Sequence, residues 1–101
     1  MIKTFKDLVV WRRGFRLGLD VYCATRSFPP DERFGLVAEL RKTARSVVYN
    51  IAEGHRRRST AEYVRFLSIA SASGAELETQ LLLARDLGYF AGKQAEELLA
   101  S

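Results

Sequence analysis

Hydrophobic residues recur along most of the chain at spacings of three and four, which is the repeat of an amphipathic helix. The first such segment covers about residues 6–25, and the second covers about residues 34–53. We expect the buried faces of these helices to carry Leu8, Trp11, Phe15, Leu19 and Tyr22 in the first and Leu36, Leu40, Ala44, Val47 and Ile51 in the second. Thr4 can cap the first helix. Pro29 and Pro30 separate the two helices, because a residue that precedes proline is displaced from helical backbone angles.

The third predicted helix, over about residues 60–87, is the longest and has the most regular apolar seam. Its seam positions recur every three or four residues, as in helices that pack side by side: Tyr63, Phe66, Ala70, Gly74, Leu77, Leu81 and Ala84. Ser59 and Glu62 have the spacing of a capping box at its start, and Gly88 ends it. We expect Gly54 to end the second helix in a left-handed conformation. The short connection that follows predicts an antiparallel hairpin.

A fourth helix can occupy only residues 92–101, so the 101 residues predict one all-α domain with a long third and a short fourth helix. Gly14 and Gly18 stand four residues apart and predict a tight helix crossing within the bundle. A short helix beside a long one leaves apolar surface uncovered, and from this mismatch we expect a homo-oligomer.

Positive charge is concentrated in the first two thirds of the chain. Residues 1–65 hold fourteen Lys or Arg against seven Asp or Glu, whereas residues 66–101 hold two against five, which together give the net charge of +4. Such an excess suggests an anionic partner, or contact between unlike surfaces of two copies. A solvated basic face without a specific partner is the alternative.

The candidate nucleic-acid-binding residues are nine basic side chains in three groups: Arg12, Arg13 and Arg16; Arg41, Lys42 and Arg45; and Arg56, Arg57 and Arg58. Guanidinium groups suit bidentate contact with phosphate, and several together give salt-dependent binding that tolerates any sequence. Tyr49, one turn from Arg45, could stack on an unpaired base. The alternative is pairing with glutamates at positions 39, 53, 62, 76 and 78, within and between subunits, which we favour for Arg41 and Arg45.

Three polar residues require a structural explanation: Asn50, Glu53 and Glu76. Glu53 falls in the last turn of its helix, where the helix dipole disfavours an anion. Glu76 shares a helix face with Ile69 and Leu83, so we expect it to be partly buried and paired with Arg41 or Arg45 of the same or a neighbouring chain. A catalytic carboxylate pair is the less favoured alternative, because no nucleophile, metal site or phosphate-binding loop accompanies it. We therefore expect neither an enzyme nor a bound cofactor.

The remaining sequence features bear on location. One histidine, His55, and one cysteine, Cys23, cannot build a zinc site, and a single cysteine fits a reducing cytosol. No stretch approaches the roughly 20 apolar residues that span a bilayer, and no secretory signal is present. We expect a cytoplasmic protein.

A series of short motifs resembles a known family. The motifs are Phe5-x-Asp7-Leu8-x-Val10-Trp11, Phe28-Pro29, Phe34-Gly35-Leu36, Leu40-Arg41-Lys42-x-Ala44-x-Ser46-Val47, Asn50-Ile51-Ala52-Glu53-Gly54, Phe66-Leu67-x-Ile69-Ala70, Ser73-x-x-Glu76-Leu77 and Leu87-Gly88-Tyr89. In this order they resemble the bacterial four-helix-bundle proteins typified by the protein encoded in the intervening sequence of large-subunit ribosomal RNA. Members of that family have a longer fourth helix than this chain.

The resemblance implies an antiparallel up-down-up-down four-helix bundle that assembles as a homopentamer and has no known enzymatic activity. A more distant relative is the accessory variability protein of diversity-generating retroelements, a basic pentamer that binds nucleic acid and a reverse transcriptase. Two functions follow as hypotheses. The first is a non-enzymatic basic scaffold that binds nucleic acid, most plausibly RNA, as an accessory protein. The second is a protein–protein adaptor for a larger enzyme such as a polymerase or reverse transcriptase.

Overall fold

Four α-helices account for most of the computed structural model, which describes residues 2–90 and 92–100. They are α1 (Val9–Thr25), α2 (Leu36–His55), α3 (Thr60–Asp86) and α4 (Gly92–Leu99), and short 3-10 helices at Phe5–Asp7 and Pro30–Glu32 precede α1 and α2. No strand occurs in these residues. With 27 residues in α3 and eight in α4, the all-α prediction with a long third and a short fourth helix is confirmed. Ser101, which the predicted fourth helix included, lies outside the described residues.

The first helix begins later than the sequence predicted. Thr4 does act as a cap, but of the 3-10 helix Phe5–Asp7, where its hydroxyl accepts the Lys6 N–H at 3.2 Å. Leu8 is then extended, and α1 begins at Val9. Asp7 accepts the backbone N–H groups of Lys3 at 2.9 Å and Thr4 at 3.1 Å, which fixes the chain just before α1.

The predicted buried face of α1 is wrong. The buried residues of α1 are Gly14, Val21, Ala24 and Thr25, whereas Phe15 and Leu19 remain 48% and 49% exposed. The face of α1 that packs against α2 instead carries Gly14, where an added Cβ would lie in ordinary van der Waals contact, 3.6 Å from Ile51 Cδ1 and 3.7 Å from Val47 Cγ1. The two helices therefore meet at Gly14, but the predicted tight crossing is not shown, because an alanine side chain would fit there and nothing lies within 4 Å of a Cβ at Gly18. An apolar strip that includes a Trp11–Phe15 ring stack is left on the surface.

The buried faces of α2 and α3 agree with their predicted stripes. Leu36, Leu40, Ala44 and Ile51 are buried on α2, and Ala70, Leu77, Leu81 and Ala84 are buried on α3. The two helices approach closely at Gly54, which lies against Phe66 and Tyr63, and farther along at a hydrogen bond between the Ser46 and Ser73 hydroxyls.

Gly54 does not end α2 in the way that the sequence suggested. The helix continues to His55, and within the described residues a positive φ occurs only at Gly88. Gly54 is instead a point of close approach, because a Cβ there would lie 2.8 Å from Phe66 Cβ. The predicted end of α3 is confirmed: Gly88 has φ +77°, and the N–H groups of Gly88 and Tyr89 bond to the carbonyls of Arg85 and Ala84, which is a Schellman motif.

The short fourth helix completes the core. Its Ala95 and Leu98 are buried in one cluster with Val21, Leu40 and Leu77 from the other three helices. The segment before α4 is held by Phe90, whose ring stacks on Phe28 with centroids 5.5 Å apart. Several large apolar side chains on α3 and at its C-terminal cap remain exposed: Val64, Ile69, Leu83 and Leu87. In the part of the chain that the structure describes, no helix is both long and apolar enough to cross a membrane.

Candidate nucleic-acid interface

The nine predicted basic residues lie in separate parts of the molecule. The first group is on α1, the second is in the first half of α2, and the third forms the connection between α2 and α3. We call residues 56–58 the basic turn. From Arg41 to Arg56 the chain rises about 22 Å along α2, so the second and third groups cannot contact the same phosphate.

The basic turn is exposed, but one of its three arginines is already paired. Arg57 donates to Glu53 Oε1 at 2.7 Å, and its guanidinium lies 4.6 Å from the centroid of the Phe66 ring. This ion pair explains the carboxylate in the last turn of α2, because Glu53 holds the backbone turn through Arg57. Within residues 2–90 and 92–100, no ion pair involves Arg56 or Arg58. These two guanidinium groups are open to an anion.

Sequence reasoning missed Arg65 as a member of the same surface. Its guanidinium lies 5.5 Å from the Phe66 ring centroid, so Arg57 and Arg65 both stack on this one ring near the start of α3. Arg65 is exposed and forms no ion pair with the described residues. The sequence could have indicated this position, since residue 65 lies within two helical turns of the predicted cap at Ser59 and therefore close to the basic turn.

Arg12 approaches the same end of the molecule through the chain that precedes α1. Its Nε donates to the Lys6 carbonyl at 2.9 Å, and a terminal nitrogen lies 3.9 Å from Asp7 Oδ1. The pKa of Asp7 is lowered, chiefly by the backbone N–H groups of Lys3 and Thr4, with smaller contributions from Arg12 and His55. The 3-10 helix Phe5–Asp7 also contacts α2.

The other two arginines of the first group point elsewhere. Arg16 pairs with Asp20 at 3.5 Å, one turn away on α1. Arg13 is exposed and lines a cavity of about 290 Å³ with Leu17 and Ala100. The structure therefore brings Arg12, but not Arg16, to the end that carries the basic turn.

Arg41 and Arg45 are fixed by neutral groups of α1, so the prediction that they pair with glutamates within the chain is wrong. The Arg41 guanidinium lies 4.7 Å from the Tyr22 ring centroid, and its Nε donates to Thr25 Oγ1 at 2.9 Å. Arg45 donates to the Tyr22 hydroxyl at 2.6 Å. The reason is the orientation of α1 about its own axis, which turns Tyr22 and Thr25 toward α2. Tyr49 is exposed, as a base-stacking role requires.

Lys42 faces the other side of α2, where a polar cleft separates α2 from α3. The cleft has a volume of about 480 Å³ and is lined by Glu39, Lys42, Thr43, Ser46, Ser73, Glu76 and Gln80. Glu76 is exposed here, and its predicted burial and pairing with Arg41 or Arg45 are wrong for the single chain, because both arginines face α1. Asn50 is structural: its amide donates to the Ser46 carbonyl at 2.7 Å.

A second arginine cluster was missed at the opposite end of α2. Its cavity, of about 380 Å³, is lined by Thr25, Arg26, Phe28, Pro29, Pro30, Arg33, Val37 and Arg41. We call it the arginine pocket. Glu32, the nearest acid along the chain, does not line it. Glu32 accepts the Leu36 N–H at 3.2 Å and the Tyr89 hydroxyl at 2.7 Å, and this hydrogen bond raises the pKa of Tyr89.

His55 and Cys23, which the sequence analysis excluded as zinc ligands, do not lie in the basic turn or in the arginine pocket. His55 packs edge-on against Tyr63, and Cys23 is exposed. Among the residues that the structure describes, no group of three or more His, Cys, Asp or Glu side chains is arranged to hold a metal ion. The candidate binding groups on this surface are therefore arginine side chains.

The order of the motifs along the chain agrees with one family. The sequence model of the 23S rRNA-intervening sequence proteins matches residues 6–101. The chain belongs to this family. The resemblance read from the motifs is confirmed, and the match covers all four helices. Compared with curated proteins, the chain matches none.

Proposed function

We propose that this member of the 23S rRNA-intervening sequence protein family is a non-enzymatic accessory scaffold that binds RNA through the end of the molecule that carries the basic turn. The observation that carries the proposal is the presence of three exposed guanidinium groups, on Arg56, Arg58 and Arg65, that form no ion pair with any described residue. Arg57 holds the turn in place through Glu53. Clustered cations without counter-charges favour a polyanion.

RNA is the preferred polyanion for two reasons. The family description itself names an intervening sequence of 23S rRNA. In addition, exposed aromatic rings such as Tyr49 stand near arginines, and unpaired bases stack on such rings in single-stranded regions. No catalytic role is assigned to Glu53, because its carboxylate is bound by Arg57.

A binding measurement with a matched pair of variants tests the proposal. Fluorescence anisotropy of a labelled single-stranded RNA would compare wild type with the double variant Arg56→Ala/Arg58→Ala and with Arg85→Ala/Lys93→Ala, which removes the same charge from α3 and α4. At about 50 mM salt, loss of two phosphate contacts lowers affinity on the order of 10- to 100-fold. The control should bind as wild type. Equal loss in both variants, or no binding by wild type, refutes the proposal.

We infer further that the helices form an antiparallel up-down-up-down bundle and that several copies assemble, as a pentamer by resemblance. An interface between copies is supported by exposed apolar residues on α1 and at the C-terminal end of α3: Phe15, Leu19, Leu83 and Leu87. Light scattering tests this directly: a pentamer has five times the 11.4 kDa mass of one chain. A mass of one chain contradicts the assembly and leaves the RNA proposal to stand separately.

An adaptor for a larger enzyme, such as a polymerase or reverse transcriptase, is the second candidate function. It is favoured by Phe34, whose side chain is 87% exposed on the connection before α2, because aromatic residues are enriched where proteins contact one another. Purification from the native host under crosslinking distinguishes the candidates. Recovery of a protein partner without RNA favours the adaptor, and recovery of RNA alone favours the scaffold.

A further inference from the structure

The arginine pocket has an apolar floor and a cationic rim. Phe28 and Val37 are buried beneath it, and the two prolines form one wall. Arg26, Arg33 and Arg41 contribute three guanidinium groups, and no acidic side chain is among the lining residues. None of the three forms an ion pair with a described residue. The lining of the pocket therefore carries three positive charges and no negative one.

Arg41 is held rigidly in this position. Its Nε donates to Thr25 Oγ1 at 2.9 Å, a terminal nitrogen donates to the Tyr22 carbonyl at 3.3 Å, and the guanidinium plane lies over the Tyr22 ring. Thr25 is itself fixed, because its hydroxyl donates to the Val21 carbonyl at 2.8 Å. A half-buried guanidinium bound only to neutral acceptors is stabilised by an added anion, and its fixed orientation lowers the entropy lost on binding.

An exposed aromatic ring adjoins the pocket. The Arg33 guanidinium, which lines the pocket, lies 5.2 Å from the centroid of the Phe34 ring, and Phe34 is 87% exposed. The ring therefore stays largely open to solvent beside the arginine. A phosphate on the arginines beside a base on the ring is the arrangement by which proteins bind single strands.

We propose that the arginine pocket binds one nucleotide of a single RNA strand, with the phosphate on Arg26, Arg33 and Arg41 and the base stacked on Phe34. The inference rests on the proposed RNA-binding function and adds a second contact, separated from the basic turn by most of the length of α2. An acidic peptide offers both the charge and a planar partner for the ring only where it carries an aromatic residue, whereas every nucleotide joins a phosphate to a planar base, so a nucleotide fits the pair of features better.

Photo-crosslinking with a bromouridine 12-mer tests the contact in the intact chain. Phe34 lies in the tryptic peptide 34–41, which is bounded by Arg33 and Arg41. We expect crosslinks on that peptide in wild type. Phe34→Ala should abolish them and weaken binding about five- to 100-fold, the range for one stacked base. The matched control Ile2→Ala removes an exposed apolar side chain that precedes α1 and should change neither measurement. Crosslinks that map only to other peptides overturn the inference.

A titration with uridine 5′-monophosphate separates failure of the pocket from failure of the RNA scaffold. The pocket is supported if NMR amide chemical shifts of residues 25–37 change when the mononucleotide is added. These shift changes should be lost in Arg33→Gln and kept in Arg85→Gln, and they support the pocket even if the 12-mer does not bind. Absent or unlocalised shifts overturn the pocket, while loss of 12-mer binding in Arg56→Ala/Arg58→Ala still supports the scaffold. Stronger shifts with an acidic peptide that contains phenylalanine than with the mononucleotide overturn the assignment to RNA.

Discussion

Replacement of Gly54 by alanine tests the close approach of α2 and α3 that positions the basic turn. The added Cβ would lie 2.8 Å from Phe66 Cβ, 3.2 Å from Tyr63 Cδ1 and 3.4 Å from the Tyr63 carbonyl. The Phe66 Cβ cannot swing aside, because it is bonded directly to the α3 backbone. The helices must therefore separate near the turn, or α3 must shift along α2.

The size of the effect follows from comparison with a second helical glycine. Gly74 lies in α3, and nothing stands within 4 Å of a Cβ placed there. Alanine at position 74 should stabilise the protein by about 1 kcal/mol, the difference in helix propensity. At position 54 the same gain is opposed by overpacking, which costs about 1–3 kcal/mol. We expect Gly54→Ala to be less stable than Gly74→Ala by about 1–3 kcal/mol, or roughly 4–8 °C in Tm for each kcal/mol.

Thermal and urea unfolding followed by circular dichroism, at one protein concentration for all variants, measure this difference. Gly54→Asn adds a second comparison. At a left-handed helix end Asn is tolerated better than Ala, whereas at a crowded position the larger side chain is worse. Equal stability of the two alanine variants, or a more stable Asn variant, contradicts the close approach at Gly54.

Three further predictions concern the ends of the helices. Gly88→Ala should lower stability by about 1–2 kcal/mol in urea unfolding, because φ is +77° there, and Gly88→Asn should lower it less. Tyr89 has a pKa raised above 10.0 by its hydrogen bond to Glu32. That bond stabilises the fold below pH 10, and its contribution is lost as the pH rises through the higher pKa of the native state. The free energy of unfolding, measured from pH 8 to 11, should therefore fall less in Tyr89→Phe than in wild type. Asp7 has a pKa lowered below 3.8. Its contribution is present above that pH and is lost as the pH falls through the native value, so Asp7→Asn should show a shallower loss of stability in acid, and an unchanged acid profile would count against the Asp7 cap.

The regular seams of α2 and α3 could be predicted because apolar residues spaced three and four apart occupy most of their buried positions. In α1 the same rule failed, since the largest apolar residues follow one stripe while the buried face consists of Gly14, Val21, Ala24 and Thr25. Periodicity of large side chains does not reveal a buried face made of smaller residues. Gly54 failed for a related reason: a glycine near a helix end predicts a left-handed cap, whereas here its missing side chain accommodates Phe66.

The candidate site was predicted as a set of charges, and its division into separate clusters depended on long-range contacts. Pairing of Arg57 with Glu53 is readable from their spacing of four residues. The contacts of Arg41 with Thr25 and of Arg45 with Tyr22 join α1 to α2, and they depend on the orientation of α1 that the sequence did not predict. For the same reason the pocket formed by Arg26, Arg33 and Arg41 was not foreseen.

The most direct test of the RNA-binding scaffold is the salt dependence of its affinity for a single-stranded RNA. The logarithm of the binding constant should fall linearly with the logarithm of salt concentration, with a slope of about 0.7 for each phosphate neutralised. Arg56→Ala/Arg58→Ala should reduce that slope by about 1.4, and Arg85→Ala/Lys93→Ala should leave it unchanged. Identical slopes for wild type and both variants, or no binding at low salt, would contradict the role of the basic turn.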